Sequence, residues 1–155
     1  MLKYPDTIVL RVPVLYGPAD ENKESAVNIL MDSLYKSQKE PVQMDNWAIR
    51  YPTNTEDVAR VCVDIAKTKP QTRILQFSSE DRMTKYEICQ TFAEFMGLPA
   101  DGIISNKDGA KPGPDGTLRP YDCHLDTSEL KKAGIDVSTV DFVAWWRRYV
   151  GAFRH

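Results

Sequence analysis

Ile8-Val-Leu-Arg-Val-Pro-Val-Leu-Tyr-Gly-Pro18 is the stretch whose reading decides the fold. Ile8, Val9, Leu10, Val12, Val14 and Leu15 form a nearly continuous aliphatic, largely β-branched run. That is the pattern of a parallel strand covered on both faces rather than of a half-solvated edge. Tyr16-Gly17-Pro18 then turns the chain. A parallel strand needs parallel neighbours, and these arrive through crossovers of a dozen or more residues. Met1 to Asp6 cannot hold one, so the expectation is a strand whose neighbours come later or from outside, with the early part of the fold missing.

Outward from this run, strand and helix patterns alternate. Ala26, Val27, Ile29, Leu30 and Leu34 space a helix over Ser25–Ser37, and Val42–Tyr51 reads as a short irregular strand or loop. Thr53 with Glu56 three residues on predicts a helix start, followed by a buried stripe of Val58, Val61, Cys62 and Ile65 that ends near Lys67–Pro70. Arg73–Ser78 predicts a short strand. Thr84-Lys-Tyr-Glu87 is a capping box for a helix to Met96, with Ile88, Phe92, Phe95 and Met96 inward and Gly97 closing it. Ser105–Pro120, rich in Gly, Pro, Asp and Lys, predicts a long exposed loop. Thr127 caps a short helix over Ser128–Ala133 closed by Gly134, and a last helix from Thr139 carries Phe142, Val143, Trp145, Trp146, Tyr149 and Val150.

Composition bounds the function. The chain has 155 residues, the length of one domain, and a formal net charge of −2, which gives no general attraction to nucleic acid. No apolar run approaches the roughly 20 residues that span a bilayer, and the N-terminus lacks the layout of a signal peptide, so no membrane partner is expected. The expected location is cytoplasmic, with the nucleus left open. Cys62, Cys89 and Cys123 are widely spaced and read as reduced thiols rather than disulfides or metal ligands, the first two at inward helical positions.

Each motif that could carry chemistry has an ordinary alternative. Tyr35 and Lys39 share a helix face as a proton donor and its cation would, but they follow the Tyr-Gly turn and read as surface residues. Gly109–Gly116 is glycine-rich, yet Pro112 and Pro114 remove amides that a phosphate cradle needs, and no G-x-G-x-x-G occurs. His124 and His155 have no partners at metal spacing, so no metal site is expected. Arg147, Arg148 and Arg154 interleave with Trp145, Trp146, Tyr149 and Phe153, the mixture of a protein-interface anchor. Trp145 and Trp146 suit the core of the lobe equally well.

Leu10–Gly17, Arg50–Ala59 and Arg119–Leu130, in that order, resemble the C-terminal half of extended short-chain dehydrogenases of the dTDP-4-dehydrorhamnose reductase-like branch. Met44-Asp45-x-Trp47, Arg50-x-Pro-Thr53, Met83–Glu87 and Phe153-x-His155 are similar to the regulatory β subunits of methionine adenosyltransferase within it. The resemblance implies an α/β fold, the C-terminal portion of an NAD(P)-binding Rossmann-type domain. Residues 1–80 would supply late parallel strands and crossover helices, and residues 81–155 a small α/β C-terminal lobe that binds substrate or partner. It implies NADP as the cofactor of the parent family, with Pro13, Val14, Leu15 and Tyr16 walling the nicotinamide end. Binding by this chain alone is expected to be weak or absent. It implies no catalytic residue here, because the family's glycine-rich turn and Tyr-x-x-x-Lys pair match nothing in this sequence. The implied partner is the catalytic subunit of methionine adenosyltransferase, met by Arg147, Arg148, Tyr149, Phe153, Arg154 and His155 in a chain that modulates S-adenosylmethionine synthesis. The other implied function is the substrate-binding part of an NADPH-dependent nucleotide-sugar reductase or epimerase. Lys111–Gly116 departs from the pattern and inherits nothing.

Overall fold

A computed structural model describes residue 4, residues 6–109 and residues 116–152. In chain order it contains β1 (Val9–Arg11), β2 (Leu15–Tyr16), α1 (Ile29–Ser37), β3 (Val42–Asp45), β4 (Thr53–Asn54), α2 (Thr55–Thr68), β5 (Ile74–Gln76), α3 (Lys85–Met96), β6 (Ile103–Asn106), α4 (Ser128–Lys132) and α5 (Phe142–Ala152). Among the described residues β1 pairs with β5, β2 with β4 and β3 with β6, and all three pairings are parallel. This is the α/β architecture that the aliphatic run implied.

The run itself is built differently from the expectation. It divides into two short strands, because the chain changes partner across Val12–Val14: Phe77 N donates to Arg11 O at 3.0 Å, whereas Thr53 N donates to Val14 O at 3.0 Å. Pro13, which has no amide to donate, lies at the switch. Nor is the run buried on both faces, since Ile8, Val9, Leu10, Val12, Val14 and Leu15 are all half-buried.

Two apolar clusters hold the described residues together. One joins Tyr16, Leu30 and Leu34 to Ile88, Phe92, Phe142 and Trp146. The other joins Val61 and Ile65 of α2 to Leu75, Phe77, Leu130 and Ile135. Both clusters draw residues from either side of residue 80. The aromatic rings of Tyr16, Phe92, Phe142, Trp145 and Trp146 meet edge-on, tilted or stacked at centroid distances of 4.6–6.2 Å, which assigns both tryptophans to the core.

Local polar chemistry sets the helix ends. The Thr84 capping box forms as read: Glu87 N donates to Thr84 Oγ1 at 3.1 Å and Thr84 N donates to Glu87 Oε2 at 2.7 Å. Gly97 closes α3 at φ 65°, where an L side chain is disfavoured. Four other ends differ from the expectation. α2 is capped by Asn54, whose side chain accepts from Glu56 N at 2.8 Å. Thr53 instead lies buried in β4, where its hydroxyl donates to Tyr51 O and accepts from Ser79 N at 2.9 Å. α1 begins at Ile29 rather than at Ser25; ahead of it Ser25 Oγ accepts from Val27 N and Asn28 N and donates to Leu15 O at 2.8 Å. At α4 Thr127 holds the N-cap position as read but makes no side-chain cap bond, Asp126 instead accepting from Ser128 N at 2.8 Å, and α5 starts behind Asp141, which accepts from Ala144 N at 2.6 Å. Two further expectations are corrected. Ser105 and Asn106 belong to β6 rather than to a loop, and Cys62 is exposed where a core thiol was expected. Cys89 is a buried thiol, and burial pushes its pKa up to about 12. Most of the Lys111–Gly116 segment lies outside the described residues.

One glycine is required by space. A Cβ on Gly102 would stand 2.1 Å from the carbonyl oxygen of Ser37 at the end of α1. Gly102→Ala is therefore expected to cost about 1–3 kcal/mol, because backbone, unlike a side-chain tip, cannot swing aside. Urea denaturation checks this, and an unchanged midpoint at constant slope would contradict it.

An arginine-bordered cleft and the exposed side of the last helix

Two regions carry the predicted site residues. The first is a cleft of about 500 Å³ beyond the end of β1. Val12, Pro13, Val14 and Leu125 form its apolar side, and Arg50, Arg119, Asp122, Cys123 and His124 its polar side. An isolated parallel bridge between Ile49 and Asp122 brings the segments around Arg50 and Arg119 together, and an antiparallel bridge between Arg50 and Met83 holds the first of them from the other side.

Arg50 is the organising side chain. Its side chain is 9% exposed, and its guanidinium donates through Nη1 to Cys123 Sγ at 3.1 Å and Ile49 O at 3.3 Å and lies 3.9 Å from the Asp45 carboxylate. Arg119, by contrast, is exposed. Tyr51 Oη donates to Asp122 Oδ2 at 3.3 Å, and burial together with that carboxylate raises the phenol's pKa. His124 meets the edge of Tyr51 at 4.8 Å and lies 2.9 Å from Glu80. The arrangement suits an anionic ligand with an apolar portion: one buried cation, one exposed cation and an aliphatic wall.

Of the four predicted cofactor-facing residues, Pro13 and Val14 line this cleft. Leu15 and Tyr16 do not. They border a smaller hollow of about 250 Å³ with Gly17, Ser25 and Thr55. The Tyr16 side chain is 1% exposed inside the aromatic cluster, and burial holds its phenol far above the ordinary tyrosine range, so it is protonated throughout the working pH range. The polar residues of the cleft were read in the sequence without a binding role. Their signal is present in Arg50-Tyr51 and Arg119–His124, but only the Ile49–Asp122 bridge shows that the two face each other.

The second region is the exposed side of α5. Arg147 is tied to its own fold, donating to Glu94 Oε1 at 3.2 Å and lying 5.4 Å above the Phe95 ring. Arg148 is exposed and borders a cleft of about 360 Å³ with Pro18, Glu56, Trp145 and Tyr149. Tyr149 stacks on Trp145 at 4.8 Å and 15°. Phe153, Arg154 and His155 lie outside the described residues. Tyr35 and Lys39 are both exposed, consistent with surface residues, and among the described residues no group of His, Cys, Asp or Glu could hold a metal ion. No helix among the described residues is long and apolar enough to cross a membrane.

Comparison with known proteins places this geometry. The family model for the RmlD substrate binding domain matches residues 2–150. Methionine adenosyltransferase 2 subunit beta of Danio rerio is 33% identical over 155 residues, covering 97% of this chain and 47% of the relative. The Xenopus tropicalis protein of that name is 39% identical over 138 residues, covering 84% of this chain and 39% of the relative. The chain thus spans less than half the length of these relatives. Among solved structures, dTDP-4-dehydrorhamnose reductase of Clostridium acetobutylicum superposes with a TM-score of 0.69 at 16% identity, covering 94% of this chain and 48% of that one. The Bacillus anthracis dTDP-4-dehydrorhamnose reductase in complex with NADP superposes at 0.72 and 12% identity, with the same coverage. At such identities these structures show the fold alone.

Proposed function

The chain belongs to the RmlD substrate binding domain family, and from that premise we propose that it acts as a regulatory-subunit-like protein that binds the catalytic subunit of methionine adenosyltransferase and modulates S-adenosylmethionine synthesis, with no catalysis of its own. One observation carries this reading: the relatives at 33% and 39% identity are named as subunit beta of that enzyme. The surface of α5 supports it. An arginine with no ion pair among the described residues, beside an aromatic cleft, is the composition of an interface anchor, and the docking segment would run from Arg147 and Arg148 through Tyr149 to Phe153, Arg154 and His155.

A pulldown with a catalytic methionine adenosyltransferase subunit tests the proposal. The full chain is expected to be retained, and removal of Gly151–His155 is expected to weaken retention at least tenfold. No retention of the full chain, or retention indifferent to that deletion, would overturn it.

NADP is the cofactor expected of the parent fold, and this chain alone is expected to hold it weakly or not at all. The Pro13 and Val14 wall supplies apolar contact but no amide cradle for the diphosphate. The second reading, the substrate-binding part of an NADPH-dependent nucleotide-sugar reductase or epimerase, is favoured by the Arg50 and Arg119 cleft. Titration with a dTDP-sugar separates the two: saturable binding lost in Arg50→Ala supports the second, and pulldown without sugar binding supports the first.

A further inference from the structure

The hollow of about 360 Å³ beside α5 is bordered by unlike charges. Pro18, Trp145 and Tyr149 give it an apolar lining, and Glu56 and Arg148 a charged one. Its rings are held by the core. Trp145 is buried and meets Tyr16 at 5.1 Å and Trp146 at 5.0 Å, and Tyr149 stacks on it at 4.8 Å. Glu56 reaches the hollow from the first turn of α2 and Arg148 from α5. Both are exposed, and among the described residues neither makes an ion pair. Arg147, one residue away, is by contrast paired with Glu94.

Two unlike charges on one apolar hollow select what can enter it. A partner of a single sign gains from one of them and is repelled by the other, whereas a partner that brings a base and an acid together gains from both. Trp, Tyr and Arg are also the residue types on which interface energy concentrates. A second hollow, of about 100 Å³, lies against the same helix at Phe95, Arg147, Val150 and Gly151. Two hollows on one helix suit the side chains of a protein surface better than a single small molecule.

We propose that this hollow is the specificity pocket of the docking surface and receives a basic and an acidic side chain that lie next to each other on the partner protein. The base sits against Glu56, the acid against Arg148, and their aliphatic stems lie on Pro18, Trp145 and Tyr149. The inference rests on the docking reading of α5 above. It adds the charge pattern that the catalytic subunit must present, and it brings Pro18 and Glu56, remote from α5 in the sequence, into the interface.

The test measures Kd between the full chain and a catalytic methionine adenosyltransferase subunit by titration calorimetry. Glu56→Lys and Arg148→Glu are each expected to raise Kd about tenfold or more, because each replaces an attraction with a repulsion. Lys39→Glu, at an exposed position on no proposed surface, is expected to leave Kd unchanged. A carboxylate in the first turn also stabilises α2, so Glu56→Gln is measured beside Glu56→Lys, with circular dichroism to show that both fold. Glu56→Gln is expected to raise Kd by a smaller factor than the lysine. Binding that tolerates both charge reversals, or that is weakened by only one of them, would overturn the inference and leave the docking reading standing. Failure of the unaltered chain to bind would overturn that reading and the inference with it.

Discussion

Trp146→Ala is expected to remove about 3–5 kcal/mol of stability. Trp146 is fully buried and touches more of the aromatic cluster than any neighbour: Phe92 at 4.6 Å, Trp145 at 5.0 Å, Tyr149 at 5.5 Å, Tyr16 at 5.7 Å and Phe142 at 6.1 Å between centroids. Those rings come from β2, α3 and α5, so the cavity left by alanine opens at the junction of three elements and cannot collapse onto one flexible side chain. Trp146→Phe makes the complementary case. The indole Nε1 has no hydrogen-bond partner among the described residues, so phenylalanine deletes an unpaired buried donor along with part of the ring. It is expected to cost less than half as much as alanine. Chemical denaturation followed by far-ultraviolet circular dichroism measures both, and equal losses for the two variants would show that the ring contacts are not what Trp146 contributes.

Asp57→Ala is expected to cost about 2–3 kcal/mol, most of it from a backbone donor left without its charged acceptor. Asp57 lies in the first turn of α2 and is 7% exposed. Its Oδ2 accepts from Val140 N at 2.9 Å, and its Oδ1 lies 3.7 Å from Arg60 Nη2. Arg60 in turn donates to Asp136 O at 2.8 Å and to Ser138 O. The pair thereby ties the segment between α4 and α5 onto α2, across more than eighty residues of chain. Asp57→Asn keeps an oxygen acceptor for Val140 N and gives up only the charge, so it is expected to recover more than half of the loss. The comparison is made by urea midpoints at neutral pH. An alanine variant as stable as the asparagine variant would remove the hydrogen bond from the account.

Much of the fold was legible because it is specified locally. The Thr84–Glu87 box, the Gly97 and Gly134 helix ends and the apolar spacing of α2 and α3 are all decided within a few residues, so a sequence window contains the whole cause. The misreadings occur where the deciding partner is remote. Thr53 could have capped α2, but Ser79 N and Tyr51 O claim its hydroxyl and Asn54 takes over. Ser105 and Asn106 carry loop chemistry and become strand because β3 offers them a parallel ladder. Cys62 matched the inward spacing of α2 and is exposed, because no element packs on that part of the helix among the described residues.

The site divides along the same line. The family resemblance put Pro13 and Val14 at a ligand wall, and the structure places both on a cleft at the end of a parallel strand. Tyr16 could not be distinguished from them by sequence. Its ring turns inward because Phe142, Trp145 and Trp146, over a hundred residues later, surround that position. Arg50 joins Cys123, and Asp122 joins Tyr51, through a single bridge that no local pattern announces.

By itself the sequence determined the class of this protein: parallel α/β pairing, helices with self-contained caps, and a family pattern strung along nearly its whole length. The periodicities of 2 and 3.6 residues and the capping chemistry act between neighbours in the chain, so they survive without a structure. Only the tertiary structure decided which residues line the cleft, that both tryptophans are core, and that the aliphatic run at Ile8–Leu15 is two half-buried strands rather than one buried strand. Burial is a property of what packs from elsewhere in the fold, and no window of neighbouring residues contains it.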